Sequence, residues 1–243
     1  MKEADIMTYP QKAAEEIKKL YPCRIELHAH TSPASTCADL TVKEVLDTFK
    51  ADGYEGIAVT NHLYTSDKMS LEEYANFYRS ELYQVLEYGD KIGMKVYVGA
   101  ELRFKSQNNN DYLFYGYNPD DMLYICQLLN GTLEEFVRSY KTDDMFLAQA
   151  HPFRKGMILM DTDLLDGIEA FNLHPNHNSR VAVAARYANE HGKIKLMGTD
   201  FHHPNHDNLC ATRVQTLPQN TQELIAVLKS QDYIFEIGDK IMI

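Results

Sequence analysis

The stretch Arg24-Ile25-Glu26-Leu27-His28-Ala29-His30-Thr31 decides how this sequence is interpreted. Ile25 and Leu27 alternate with charged residues, which is the pattern of a short buried strand. Side chains two positions apart on a strand point the same way, so His28 and His30 can reach one metal ion. The segment therefore predicts a strand that ends in a metal-binding pair.

Further strand-like runs also end in an imidazole or a carboxylate. These runs cover residues 56–60, 95–100, 146–150 and 195–199. The candidate ligands that follow them are His62, Glu101, His151, Asp200 and His202. Ligand-bearing strand ends separated by helical segments are typical of an α/β barrel with its active site at the carboxyl ends of the strands. The sequence thus predicts a multinuclear metallohydrolase.

Length and charge limit the classes of function. The 243 residues suit one α/β domain spanning residues 1–243, since barrels of this kind often form a single unit. The 24 basic and 35 acidic residues give a net charge of −11, which disfavours a protein that holds long nucleic acid by its phosphates. A small phosphorylated substrate stays compatible, because bound metal ions would reverse the local field.

Several features predict a cytoplasmic protein that does not enter a membrane. The N-terminal residues lack the apolar run of a signal peptide, and no stretch approaches the roughly 18 apolar residues of a membrane span. The cysteines are Cys23, Cys37, Cys126 and Cys210, which lie far apart and form no C-x-x-C pair. Reduced thiols are the simplest interpretation of that spacing. The sequence leaves the oligomeric state open.

Local signals place helices between the strands. Thr41 with Glu44, and Ser70 with Glu73, have the spacing of capping boxes, which predict helices from Thr41 to about residue 51 and from Ser70 to about residue 92. Other predicted helices cover residues 10–20, 120–129, 132–140, 179–190 and 221–229. Additional strands are predicted at residues 112–117, 167–171 and 233–237. This alternation is expected of parallel strands joined by helices.

Other charged residues are candidates for contacts with a substrate. Arg154 follows His151 by three residues and could meet a phosphate with its planar guanidinium group, and Arg103 and Arg180 are alternatives. His174 or His177 could complete the metal site, or they could belong to a polar loop that begins a helix. His203 and His206 follow Asp200 and His202, and they could contribute to the site or be solvated loop residues. His191 is expected at the surface.

Taken together, these motifs resemble those of a known protein family. The sequence resembles the PHP (polymerase and histidinol phosphatase) family of metal-dependent phosphoesterases across about residues 24–206. The matching motifs are His28-Ala29-His30-Thr31, Thr60-Asn61-His62, Glu101, His151-Pro152 and Gly198-Thr199-Asp200-Phe201-His202. The resemblance implies a distorted (β/α)7 barrel with two or three Zn, Mn or Fe ions at the carboxyl ends of the strands.

The resemblance also implies how the ligands are divided among the ions. One ion would be bound by His28, His30, Glu101 and Asp200, with Glu101 bridging to a second ion. The remaining ions would be shared by His62, His151 and His202.

Two positions depart from the family pattern. Many members have Asp where this chain has Asn61, and many have Asp or His where this chain has Ser35 and Thr36. Cys37 and Asp39 follow directly. The resemblance therefore implies a dinuclear site, or a trinuclear one if Asp39 supplies the missing ligand.

Hydrolysis of a small phosphate monoester is the activity that these features favour. A metal-activated water would attack phosphorus in line, while the ions stabilise the developing charge. Asp200, Arg154 and His177 are the predicted catalytic residues, the latter two because they could neutralise a phosphate oxygen or protonate the leaving group. One alternative is a phosphodiesterase acting on nucleic acid ends, as in exonuclease members of the family. Another is a degenerate barrel that only binds metal.

Overall fold

The computed structural model describes residues 9–66, 68–238 and 240–242. The helices in these ranges are α1 (Tyr9–Leu20), α2 (Val42–Ala51), α3 (Leu71–Ile92), α4 (Met122–Leu128), α5 (Leu133–Ser139), α6 (Val181–Glu190) and α7 (Thr221–Ser230). The strands are β1 (Cys23–Ala29), β2 (Gly56–Val59), β3 (His62–Leu63), β4 (Lys95–Leu102), β5 (Tyr112–Tyr115), β6 (Phe146–Gln149), β7 (Gly167–Asn172), β8 (Ile194–Gly198), β9 (Cys210–Val214), β10 (Tyr233–Ile237) and β11 (Lys240–Met242).

These strands form one curled sheet in the order β11-β10-β9-β1-β2-β4-β5-β6-β7-β8, with β3 paired to β4. The strands β1, β2 and β4 run parallel to one another, as do β6, β7 and β8. With helices packed against the strands, the sheet bends into a half-barrel. This architecture confirms the predicted fold class, a distorted α/β barrel.

The parallel alternation predicted from the sequence does not extend through the whole sheet. Strand β5 is antiparallel to both β4 and β6, and β9 to β11 form an antiparallel edge beside β1. The connection between β4 and β5, residues 103–111, contains no helix. It is shorter than the dozen or more residues that a parallel crossover requires, so the chain reverses there.

The half-barrel is closed by contacts between β1 and the segment that follows β8, which we call the seam. The backbone N–H of His30 donates to the carbonyl of Phe201 at 3.0 Å, and the N–H of Phe201 donates to the carbonyl of His28 at 3.3 Å. Gly198 allows this approach, because a Cβ atom there would lie 2.5 Å from the Cβ of His28. The seam thus brings the ends of β1 and β8 side by side.

Helix boundaries follow the capping signals of the sequence. The side chains of Thr41 and Ser70 each accept a hydrogen bond from the backbone of a glutamate three residues later, and that glutamate side chain accepts one from the cap backbone. Gly93 ends α3 in the left-handed conformation, with φ of 68°. Both capping boxes are therefore present as predicted.

Apolar side chains from the helices fill the space beside the strands. Val45, Leu46 and Phe49 of α2 pack against residues of β1 and β2, and Leu224 and Leu228 of α7 pack against residues of several strands. This packing fixes the strands whose ends carry the polar residues. No helix within the described residues is both long and apolar enough to cross a membrane.

Candidate metal centre

The predicted ligands come together where the parallel strands end. His28 lies near the end of β1 and His30 directly follows it, while Asp200 and His202 follow β8 across the seam. His62 begins β3 and is paired in register with Glu101 of β4. His151 follows β6, two residues beyond the strand. Parallel strands thus deliver side chains distant in sequence to one buried spot.

Glu101 is the central residue of this cluster. Its Oε2 lies 2.7 Å from Nδ1 of His62 and 3.4 Å from Nε2 of His30. Its Oε1 lies 3.1 Å from Nε2 of His151 and 3.5 Å from Nε2 of His28. The carboxylate therefore faces four imidazoles and has the geometry of a group that bridges two cations.

Asp200 faces the same histidine pair from the other side of the seam. Its Oδ1 lies 3.4 Å from Nε2 of His28 and 3.4 Å from Nε2 of His30. Its Oδ2 accepts a hydrogen bond from the side-chain amide of Asn172 at 3.2 Å. The backbone of Asp200 has φ of 52°, a left-handed conformation that is uncommon for residues other than glycine. Such local strain often accompanies a functional site.

A second layer of hydrogen bonds orients the histidine pair. Nδ1 of His28 lies 2.7 Å from Oε1 of Glu169, and Nδ1 of His30 lies 3.0 Å from the hydroxyl oxygen of Ser35. The Ser35 hydroxyl in turn donates to Oδ1 of Asn61 at 2.9 Å. Because each Nδ1 faces an acceptor, each neutral ring carries its proton there and keeps a lone pair on Nε2.

This arrangement fits a bound divalent metal. Nε2 of His28 and Nε2 of His30 lie 3.1 Å apart, so two lone pairs face each other beside two carboxylates. Oε2 of Glu101 is buried and lacks a hydrogen-bond donor in proper geometry. Without a cation these acceptors would repel one another, whereas a metal ion would satisfy them together. Imidazole and carboxylate donors suit Zn, Mn and Fe.

The donor atoms form three overlapping clusters among the described residues. Within each cluster they lie within 4.8 Å of one another. The clusters are His28–His30–Glu101, Glu101–Asp111–His151 and His30–His62–His202. Clusters of this composition fit the binding of divalent metal ions.

The electrostatics of the cluster favour positive charge. Burial alone would lower the pKa of His28, but Glu169, Asp200 and a third carboxylate outweigh it and raise the pKa well above its usual value. Burial alone would raise the pKa of Glu101, yet the charges of His62 and His28 hold it well below its usual value. Glu101 is therefore ionised, and the field that attracts a proton to His28 would equally attract a metal cation.

Two residues of the site were not foreseen from the sequence. Glu169 is a buried carboxylate inside the apolar run of β7, a signal that could have marked it. Asp111 lies 3.9 Å from Nε2 of His151, and its carboxylate also accepts two hydrogen bonds from Arg103, at 2.6 and 2.8 Å. Asp111 therefore fixes Arg103 beside the ligands.

A cavity of about 360 Å³ opens onto the ligands, and all three predicted catalytic residues, Arg154, His177 and Asp200, line it. Arg154 lines it with one guanidinium nitrogen 3.6 Å from Oδ2 of Asp200. His177 also lines it, with its ring centroid 4.3 Å from that of His174. Burial and the charge of Arg154 lower the pKa of His177, so its ring is neutral at neutral pH. Arg103 also lines this cavity.

Asp39, Arg180 and His191 lie outside this arrangement. The carboxylate of Asp39 is exposed and lies 2.9 Å from Nδ1 of His203, so the structure does not bring it into the ligand clusters. Arg180 donates to the backbone carbonyl of Phe153 at 2.8 Å and does not line the metal cavity. His191 is exposed at the end of α6, as expected.

Comparison with known proteins gives a consistent result. The family model of the PHP domain matches residues 26–240. A search of curated proteins found no match. A two-domain protein from Bacteroides vulgatus, containing a predicted PHP-like metal-dependent phosphoesterase, is similar in fold, with a TM-score of 0.62 and 13% identity over 90% of this chain. This chain covers 66% of that protein.

Two other solved structures share the fold at similarly low identity. PsfC from Pseudomonas syringae has a TM-score of 0.54 and 17% identity, with 86% of this chain and 96% of that chain covered. A protein from Bifidobacterium adolescentis, named as a metal-dependent phosphoesterase, has a TM-score of 0.50 and 13% identity, with 73% and 87% covered. At these identities the likeness concerns the fold alone.

Proposed function

Because this chain belongs to the PHP domain family, we propose that it is a metal-dependent hydrolase of small phosphate monoesters. The observation that carries the proposal is the convergence of Glu101 and Asp200 on four or more imidazoles beside a cavity with two arginines. Bound divalent ions would supply a hydroxide nucleophile at neutral pH and neutralise phosphate charge. The ligands would be His28, His30, His62, Glu101, His151, Asp200 and His202.

The residues around the cavity supply the remaining parts of such a reaction. Arg154 is close to Asp200 and partly exposed to the cavity, so its guanidinium can donate to phosphate oxygens on the side away from the buried carboxylate. Arg103 is held in place by Asp111 and can add a second set of donors. The neutral ring of His177 can donate a hydrogen bond to the leaving-group oxygen.

The dimensions of the cavity favour a small ester over a polymer. A volume of about 360 Å³ lies near the low end of the range for small-molecule sites. The net charge of −11 disfavours binding to the backbone of a long nucleic acid. Hydrolysis of a phosphodiester or of an oligonucleotide end is therefore the alternative that the experiment below examines.

The test combines metal analysis with phosphate release. Protein purified without chelators or a histidine tag should contain two or three equivalents of Zn, Mn or Fe, and a panel of sugar and nucleotide monophosphates should identify hydrolysed esters. Asp200→Asn should lose both metal and turnover. Arg154→Met should keep its metal and lose about 10²-fold in kcat/KM, because it removes a donor to the transition state. Arg186→Met, on the exposed face of α6, is the matched control.

Three results would count against this proposal. Less than one equivalent of metal, not restored by added ions, would favour a barrel without hydrolytic function. Full metal content with no turnover on any ester would favour a module that only binds metal. Cleavage of oligonucleotides in preference to monophosphates would identify a phosphodiesterase.

A further inference from the structure

The cluster of His30, His62 and His202 lacks a ligand if the first ion is bound as proposed. Nδ1 of His30 is occupied by Ser35, so only Nε2 can bind metal. That atom also belongs to the cluster with His28 and Glu101. One nitrogen lone pair binds one ion, so a second ion near His62 would retain two imidazoles and the shared Glu101. A further protein donor would complete its shell.

The loop after β1 offers one remaining donor of suitable chemistry. Ser35 is already used to orient His30 and to contact Asn61, and Asp39 is turned to His203. Cys37 lies between them and lines the cavity that His62 and His202 also line. Its thiol therefore opens onto the same space as both imidazoles.

Backbone contacts on either side of Cys37 hold it in this place. The N–H of Ala38 donates to the carbonyl of Ser35 at 3.0 Å, which makes the turn that contains Cys37. The N–H of Asp39 donates to the carbonyl of His202 at 2.9 Å. The loop is thus tied, two residues beyond Cys37, to the same segment that carries His202.

An observation that does not involve the cysteine also indicates a metal ion beside His62 and Glu101. Oε2 of Glu101 is buried and lies 2.7 Å from Nδ1 of His62, yet it accepts no hydrogen bond in proper geometry. The two atoms are close enough to act as ligands of a common metal ion. His202 directs Nδ1 at the carbonyl of Asp200, at 2.8 Å, which leaves its Nε2 free.

We infer that Cys37 is a thiolate ligand of a metal ion held by His62 and His202. Ligation replaces the thiol proton with a metal–sulfur bond, and the proton passes to solvent. Two imidazoles and a thiolate form a set typical of zinc, and Glu101 or a water molecule completes four-coordination. The inference rests on the metal centre proposed above, and it makes the thiolate the substitute for the carboxylate or imidazole that many family members carry in this loop.

Cobalt substitution tests this ligand directly. The protein is stripped with a chelator, reconstituted with Co²⁺ and examined by absorption spectroscopy, in which a thiolate bound to cobalt gives an intense near-ultraviolet charge-transfer band. Wild-type protein should show the band, and Cys37→Ser should lose it together with about one bound ion per chain. Cys37→Asp should restore the ion without the band. Cys23→Ser, a substitution in β1 away from the ligands, should keep both.

A second measurement does not depend on a variant. In metal-free wild-type protein the exposed Cys37 should react fastest with a disulfide reagent, and loading with Zn²⁺ should protect one thiol, because Cys126 and Cys210 are buried and the half-buried Cys23 lies away from the ligands. Persistence of the band in Cys37→Ser would overturn the inference. So would wild-type protein that loads two or more ions and hydrolyses a phosphate ester without the band, and this result would leave the proposed function intact. A wild-type protein that binds no cobalt or zinc would overturn both.

Discussion

Replacing Glu169 with glutamine preserves the shape of the side chain but removes the acceptor that orients His28. In the wild-type protein the carboxylate accepts hydrogen bonds at 2.7 Å from Nδ1 of His28 and at 2.8 Å from the backbone N–H of His151. It also accepts one at 3.1 Å from the side-chain amide of Asn172. Three donors therefore converge on two oxygen atoms. A glutamine offers one acceptor oxygen and one NH2 group.

We expect this substitution to lower the affinity for metal rather than the stability of the metal-free protein. In metal-free protein the glutamine can turn its oxygen toward His151 and Asn172 and donate its NH2 to Nδ1 of His28, provided that the proton of that ring moves to Nε2. A metal ion needs the lone pair on Nε2, which forces the proton back to Nδ1 and against the NH2 group. One buried donor then lacks an acceptor, at a cost of about 1–3 kcal/mol. Each 1.4 kcal/mol is about tenfold in affinity.

We therefore expect Glu169→Gln to bind Zn²⁺ about 10- to 100-fold more weakly, in line with other changes behind metal-ligating histidines. Competition against a chromophoric chelator measures the affinity, and denaturant titration of metal-free protein measures stability. Glu87→Gln, on the exposed face of α3, controls for the lost charge. A Zn²⁺ affinity within twofold of wild type would refute this reasoning, whether or not the metal-free variant also loses stability.

Further predictions concern stability. Gly198→Ala places a methyl group 2.5 Å from the Cβ of His28, so metal-free protein should lose about 1–3 kcal/mol in denaturant titration, and an unchanged midpoint would contradict the steric argument. Glu236→Ala leaves the buried Arg213 without its carboxylate, which should cost about 3–5 kcal/mol while metal content stays normal; a loss below 1 kcal/mol would contradict this. Ser70→Ala removes the cap of α3 and should lower Tm by about 2–4 °C in calorimetry, for a loss of about 1 kcal/mol. An unchanged Tm would show that the cap contributes nothing there.

Local sequence signals were sufficient to predict the helices and the ligand residues at the strand ends. Thr41 and Ser70 begin helices because a capping box depends on a few adjacent residues. His28 and His30 share a face because strand geometry repeats every two residues. Features of this kind need no knowledge of what lies across the barrel, and both could be derived from the spacing alone.

Features that depend on contacts between distant segments could not be derived in this way. Glu169 orients His28 from 141 positions away, and no local pattern relates them. Strand β9 was missed because polar Thr212 and Arg213 interrupt its apolar residues, although Arg213 is buried by its pairing with Glu236. The position of Asp39 was equally undetermined, because the turn before it decides which side of the loop faces the metal cavity.

The seam joins the closure of the barrel to the binding of its cofactor. His28 and His30 lie on one side and Asp200 on the other, and the backbone bonds across the seam belong to His28, His30 and Phe201. An ion that binds both sides stabilises the closed form relative to any form in which the two segments separate. By mass action this amounts to about 2.7 kcal/mol at a metal concentration 100-fold above Kd. Amide hydrogen exchange at His30 and Phe201 would then slow about 100-fold on loading, so these two protons would report occupancy of the site.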